Sequence, residues 1–209
     1  RDRVNRIVAE FLPPTIAIAL LTILFNWFLG LPLGLIAGVK RNSIYDYGLT
    51  FTCLIGLATP PFIIALILMA AMQTAFPGFD STVLISREVA HLPWYDHRVI
   101  IDFMKHIWIP VLILGIGGSA DQLRIMRANI IDEMRKQYVV CALARGVHPI
   151  KVLLKYPFRI AINPFISTIG YILPELIGGS MIISIVMNLP TIGPKVLEAI
   201  QGQDTYLAT

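Results

Sequence analysis

RKQYVVCALARGVHPIKVLLKYP, residues 135 to 157, carries five lysines and arginines, no acidic residue and a single glycine. From Asp132 to about Arg145 the residues suit one helix. Met134, Tyr138 and Ala142 recur at four-residue spacing as a weakly apolar face, with Arg135 and Lys136 beside it. Gly146 stands where a helix would end, and a glycine just past a C-terminus accepts positive φ without strain. His148-Pro149 restarts a short helix, because proline is favoured in a first helical turn. Pro157 interrupts it. The expectation is an ordered helix, turn, helix over about 132–159.

The flanks of this stretch are far more apolar. Of 209 residues 56% are hydrophobic and only 14% charged, and the mean hydropathy is +0.72, well away from the balance of a soluble domain. The apolar residues form blocks instead of a 3.6-residue stripe, which separates membrane spans from half-buried globular helices. Residues 12 to 39 hold no charge and reach about 42 Å as a helix, beyond the ~30 Å hydrocarbon core, so they span with tilt or a bend at Pro32. Residues 48 to 76 are also uncharged, and the pair Pro60-Pro61 near their middle removes two amide donors. Residues 107 to 120 are too few to cross alone, so their helix is expected from near Asp102 to about Arg124. Residues 160 to 187 carry one carboxylate, Glu175, close to mid-span. Gly34 and Gly38, Gly115 to Ser119, and Gly178 to Ser180 are small residues of the kind that let membrane helices approach closely.

Four spans put both ends of the chain on one side. With the loop at 40 to 47 and the segment 124 to 159 together on the other, that side holds ten of the seventeen basic residues, which favours it as cytoplasmic. Cys53 falls in a span and Cys141 in the basic segment, so no disulfide is expected. No signal peptide is expected and no internal repeat is visible, and one membrane domain over 1–209 is the natural count. Residues 91 to 106 gather three histidines and two aspartates, but His91 and His97 stand six apart with a proline between, which is no recognised metal spacing. No metal site is expected.

Ionisable side chains at bilayer depth normally face water or a partner. Glu175 is therefore the leading candidate for a translocation path, with Asn26, Thr59, Asn163 and Ser184 as weaker ones. Arg124 and Arg127, three apart at the exit of the third block, suit headgroup contact or snorkelling as well as a role in the bundle. The basic segment itself fits two roles. It is either an interfacial element touching anionic headgroups or a docking element for a cytoplasmic partner, whose tip would offer Cys141, Ala142, Ala144 and Gly146.

The run YVVCALARGVHPIKVLLKYPFRIAINPFIS resembles the cytoplasmic loop of permease subunits in binding-protein-dependent ABC importers of the dipeptide, oligopeptide and nickel group. That family shows a Tyr-Val, then Ala-x-Ala-Lys-Gly, then Val-Leu and an Arg-x-Ala before Pro. The corresponding residues here are Tyr138-Val139, Ala142, Ala144-Arg145-Gly146, Val152-Leu153, Arg159-Ile160-Ala161 and Pro164. FLPPTIAIALLTILFNWFLGLPLGLIAG resembles the family's second span, LATPPFIIALIL its third, LRIMRANIIDEMRKQYV the end of its fourth, and NLPTIGPKVLEAIQGQDTYLA the external segment after its fifth. The Glu-Ala-Ala of the wider superfamily is replaced by Val140-Cys141-Ala142, so no contact of that glutamate carries over. The first and last of the usual six spans are expected to be missing from this chain.

The resemblance implies an all-α polytopic bundle in the inner membrane of a bacterium or archaeon, with a coupling helix between the third and fourth spans present. It implies a second permease subunit in a heterodimer, two cytoplasmic ATP-binding subunits that use ATP and Mg, and an external substrate-binding protein. Membrane lipid surrounds the bundle and nucleic acid has no place in it. The permease binds no cofactor and performs no covalent chemistry, and the chain has no phosphate-binding Gly-x-x-x-x-Gly-Lys-Ser/Thr motif. Coupling is expected at Tyr138, Cys141, Ala142, Ala144 and Gly146, with Arg145 at the rim. An ion-coupled secondary transporter would place more ionisable groups in its spans, and an intramembrane enzyme needs a histidine facing a nucleophile at depth. A nonenzymatic scaffold fits the composition but does not explain the loop pattern.

Overall fold

A computed structural model describes residues 2–77, 80, 82–86, 88–89, 91–92 and 96–203, with the side chains at 2, 3, 168 and 172–177 outside that description. Within it every regular element is a helix: α1 (Asp2–Val39), α2 (Ile44–Ala58), α3 (Pro61–Ala75), α4 (His97–Glu133), α5 (Gln137–Ala144), α6 (Pro149–Lys155), α7 (Pro157–Ala161), α8 (Asn163–Val186) and α9 (Ile192–Gln201). Two of them, α1 from Val4 and α4, are long and apolar enough to cross a membrane, and α2 with α3 makes a third if taken as one broken span. The fourth apolar block forms α8, whose 24 residues extend about 36 Å.

The breaks follow the chemistry of proline and of the caps. Pro60 and Pro61 end α2 and open α3, and Thr59 closes α2 by sending both its amide and its hydroxyl to the Ile55 carbonyl. Pro13, Pro14 and Pro32, in contrast, lie within a continuous α1, as proline often does in membrane helices. Two expected boundaries are corrected. The third block does not give a helix from Asp102 to Arg124 but one of 37 residues, because its charged end is neutralised in place. Nor do 132–145 form one helix: α4 runs to Glu133, a turn covers Met134 to Lys136, and α5 begins at Gln137.

The chain divides into two compact units. One comprises residues 23–59 and 115–172 and is organised by a seam between the later parts of α1 and α4. Asn26 packs on Gly118, Gly30 on Ser119 and Gln122, Gly34 on Leu123 and Met126, and Gly38 on Arg127 and Ile130. Both numbers rise together at a near-constant offset, so the two helices run parallel there. A Cβ on Gly34 would lie 2.6 Å from the Leu123 carbonyl oxygen and 2.6 Å from the Met126 Cβ. That distance is available only to glycine and lets the backbones approach. Below the seam Leu31, Met126, Ile130, Ala161 and Phe165 form a buried cluster, and the Cys53 thiol donates to the Ala120 carbonyl.

The other unit comprises residues 1–22, 60–114 and 173–209. Here Thr15 on α1 donates to the Phe11 carbonyl and accepts the Ile192 amide at the start of α9. Gly193 rests on Met181, and the Lys195 ammonium lies 5.4 Å from the Phe11 ring centre. Asp102 accepts both the amide and the hydroxyl of Ser86. Among the described residues nothing lies within 4 Å of where a Cβ on Gly178 or Gly179 would stand.

Candidate functional site

The parallel seam fixes where the basic residues go. Since α1 and α4 run the same way, the turn after α1 and the segment after α4 leave the seam at one end, as the charge pattern required. Ser43 caps α2 by accepting the Asp46 amide, and Asp46 turns back to accept the Asn42 amide at 2.9 Å. This is the reciprocal arrangement of a capping box displaced by one residue. Arg127 of α4 then grips the same carboxylate with two N–H groups, at 2.5 and 2.9 Å. A buried carboxylate needs such a partner. The other arginine, Arg124, pairs with Asp121 on its own helix at 2.8 Å.

The segment after α4 is anchored from below and open above. Val139 of α5 and Val152 of α6 are each 1% exposed, Leu153 and Phe158 pack on the buried cluster, and Asn129 of α4 donates to the Ala161 carbonyl. Tyr138 donates its hydroxyl to Glu133 at the end of α4 and sets its ring 6.2 Å from that of Tyr156. Burial, with Glu133 holding the proton and adding its charge, pushes the Tyr138 phenol up to about 12. It stays neutral and keeps donating at any physiological pH.

Helix α5 ends as its sequence predicts. Gly146 has φ +78°, its amide bonds the Leu143 carbonyl, and the Val147 amide bonds the Ala142 carbonyl. This crossed pair is the Schellman motif. Among the described residues nothing would meet a Cβ on Gly146, so what favours glycine there is the backbone conformation alone. Cys141, Ala144, Arg145 and Gly146 are exposed, Ala142 and Tyr138 partly so. The five small or rim residues and Tyr138 thus sit on one short element.

The residues expected along a path are placed separately. Asn26 is 3% exposed and wedged on Gly118, its Oδ1 without a hydrogen-bond partner among the described residues. Thr59 caps α2, Asn163 opens α8 and accepts the Ser167 hydroxyl through its carbonyl, and Ser184 is buried on α8. Glu175 lies on α8 with its side chain outside the described residues. Asp46, Asn129 and Glu133 were missed, although Ser43-x-x-Asp46 is a legible capping signal. Among the described residues no three ligand side chains gather as a metal site would require.

Apolar helices of membrane length, packed through glycines and carrying an ordered basic helix, turn, helix at one end, define a multi-pass membrane bundle with a built extramembrane element. Residues 30–209 match the binding-protein-dependent transport system inner membrane component family, and the chain belongs to that family. It is 32% identical over 201 residues to the inner membrane ABC transporter permease protein YejB of Escherichia coli O157:H7, covering 95% of this chain and 55% of that one. It is 27% identical over 201 residues to the oligopeptide transport system permease protein AppB of Bacillus subtilis, covering 96% and 61%. The chain therefore spans rather more than half the length of these relatives. It is of the ABC importer permease type, and its resemblance to peptide and oligopeptide permeases agrees with the sequence reading.

Proposed function

We propose that this chain is part of the membrane path of an ATP-driven importer for peptides, and that the segment 132–159 couples it to cytoplasmic ATPases, the contact itself falling on Tyr138, Cys141, Ala142, Ala144, Arg145 and Gly146. The observation that carries the reading is the tip of α5. It is exposed, free of large side chains at Cys141, Ala142 and Ala144, stopped by a positive-φ glycine, and seated on the same core as the α1–α4 seam. Closure of two ATPases on ATP and Mg would move α5, and the anchored Val139, Val152 and Tyr138 would pass that motion to α4. The permease performs no chemistry of its own and binds no cofactor. A second, non-identical permease completes the path, an external binding protein supplies the solute, and the setting is a bacterial or archaeal inner membrane. Glu175 is the residue proposed to meet the solute.

Cross-linking from Cys141 tests the reading. In full-length protein with Cys53→Ser and any other cysteines removed, a bifunctional thiol reagent is applied to inside-out vesicles containing the candidate ATPase. An adduct with that ATPase that changes with ATP is expected. Ready labelling of Cys141 without any adduct would sink the coupling role.

A further inference from the structure

The two roles open to the basic segment divide between its helices. Residues 137–144 of α5 contain no charge, whereas α6 and α7 carry Lys151, Lys155 and Arg159 with no acid among them. These three cations, with His148, Ile150 and Leu154, line one open groove. We propose that this groove holds the headgroup of an anionic phospholipid from the leaflet it borders.

Its walls have the chemistry of such a ligand. Lys151, Lys155 and Arg159 are exposed, and none is paired with a carboxylate among the described residues. Ile150 and Leu154 are 61% and 49% exposed between them, an apolar floor for the glycerol and upper acyl carbons beneath a phosphate held by the cations. Depth fits as well. Pro157 and Ala161 of α7 are buried in the bundle, and α8 begins four residues after Arg159, so the groove adjoins the boundary where headgroups lie. The small-residue tip proposed for the ATPase lies on α5, apart from the three cations on α6 and α7. The assignment rests on the cytoplasmic orientation proposed above but not on coupling through α5.

The test uses full-length protein purified with its partner permease and ATPases. It is exchanged into nanodiscs containing phosphatidylglycerol and phosphatidylcholine in equal amounts, and retained lipid is counted by native mass spectrometry. Wild type is expected to keep phosphatidylglycerol selectively. The neutral variant Lys151→Gln/Lys155→Gln/Arg159→Gln should lose that selectivity by about fivefold for each cation removed, with ATPase copurification unchanged. The charge-conserving variant Lys151→Arg/Lys155→Arg/Arg159→Lys should keep it. Unchanged lipid selectivity in the neutral variant overturns the proposal. So does loss of the ATPases from it, which would assign the groove to the motor, and so does equal loss in both variants. Wild type that keeps the lipid selectively but never retains ATPases supports the lipid site while defeating the coupling role of α5.

Discussion

Glycine is used in two opposite ways at the two ends of the force path proposed here. Along the seam, Gly30, Gly34 and Gly38 sit in helical backbone that any residue adopts, and what matters is the missing Cβ, since Ser119, Leu123, Met126 and Ile130 occupy its place. At the tip of α5, Gly146 has open space around it and what matters is φ +78°. A membrane seam has little hydrophobic drive of its own, because lipid tails are as apolar as leucine, so close packing must supply the attraction. A helix terminus in water has no packing to lean on. It satisfies its last carbonyls by reversing the chain.

The largest effect should come from filling the seam. Gly34→Leu cannot be met by a side-chain shift, because a backbone carbonyl stands 2.6 Å from the new Cβ. The helices must part, and most of the folded full-length protein should disappear from detergent extracts examined by fluorescence-detected size exclusion. Gly34→Ala should lower the thermal midpoint in the same assay, with an overpacking cost of about 2 kcal/mol. An unchanged midpoint in Gly34→Ala would show that the seam is looser than its contacts indicate.

Next in size is the tip. Gly146→Val should insert and extract normally but abolish transport, since a β-branched residue at positive φ costs about 1–3 kcal/mol and would distort the Schellman turn instead. Gly146→Asn sharpens the comparison, because asparagine adopts the left-handed region more readily. It should keep most of the uptake measured in proteoliposomes. Should Asn fail as completely as Val, the tip would need the absence of a side chain, as the seam does, and the two ends would no longer differ in kind.

What was legible in the sequence is what depends on neighbours along the chain. The apolar blocks, the restart at Pro149 and the turn at Gly146 are all decided within a few residues, whereas the block 48–76, read as one span, breaks at Pro60-Pro61 into α2 and α3. The length of α4 was not legible, because Arg124 and Arg127 resemble the polar end of a span. Their neutralisation needs Asp121 three residues away and Asp46 at a distance of 81 residues. The same holds for Tyr138. Its small-residue neighbours marked the tip, but its anchor on Glu133 belongs to the end of another helix. Sequence could also not sort the glycines, since the partner that makes a Cβ impossible lies on a different element.

The smallest effect is expected where neither use applies. Gly178 lies inside α8 with helical backbone, and among the described residues nothing comes within 4 Å of where a Cβ would stand. Gly178→Ala therefore meets no clash and removes conformational freedom from the unfolded chain, a gain of up to about 1 kcal/mol. The thermal midpoint of the full-length subunit purified alone should hold or rise slightly, and so should that of the assembled transporter. A midpoint that held in the single subunit but fell in the assembly would locate a second backbone against α8. Gly178 would then belong with Gly34, as a glycine whose Cβ is excluded by a neighbour that one chain does not contain.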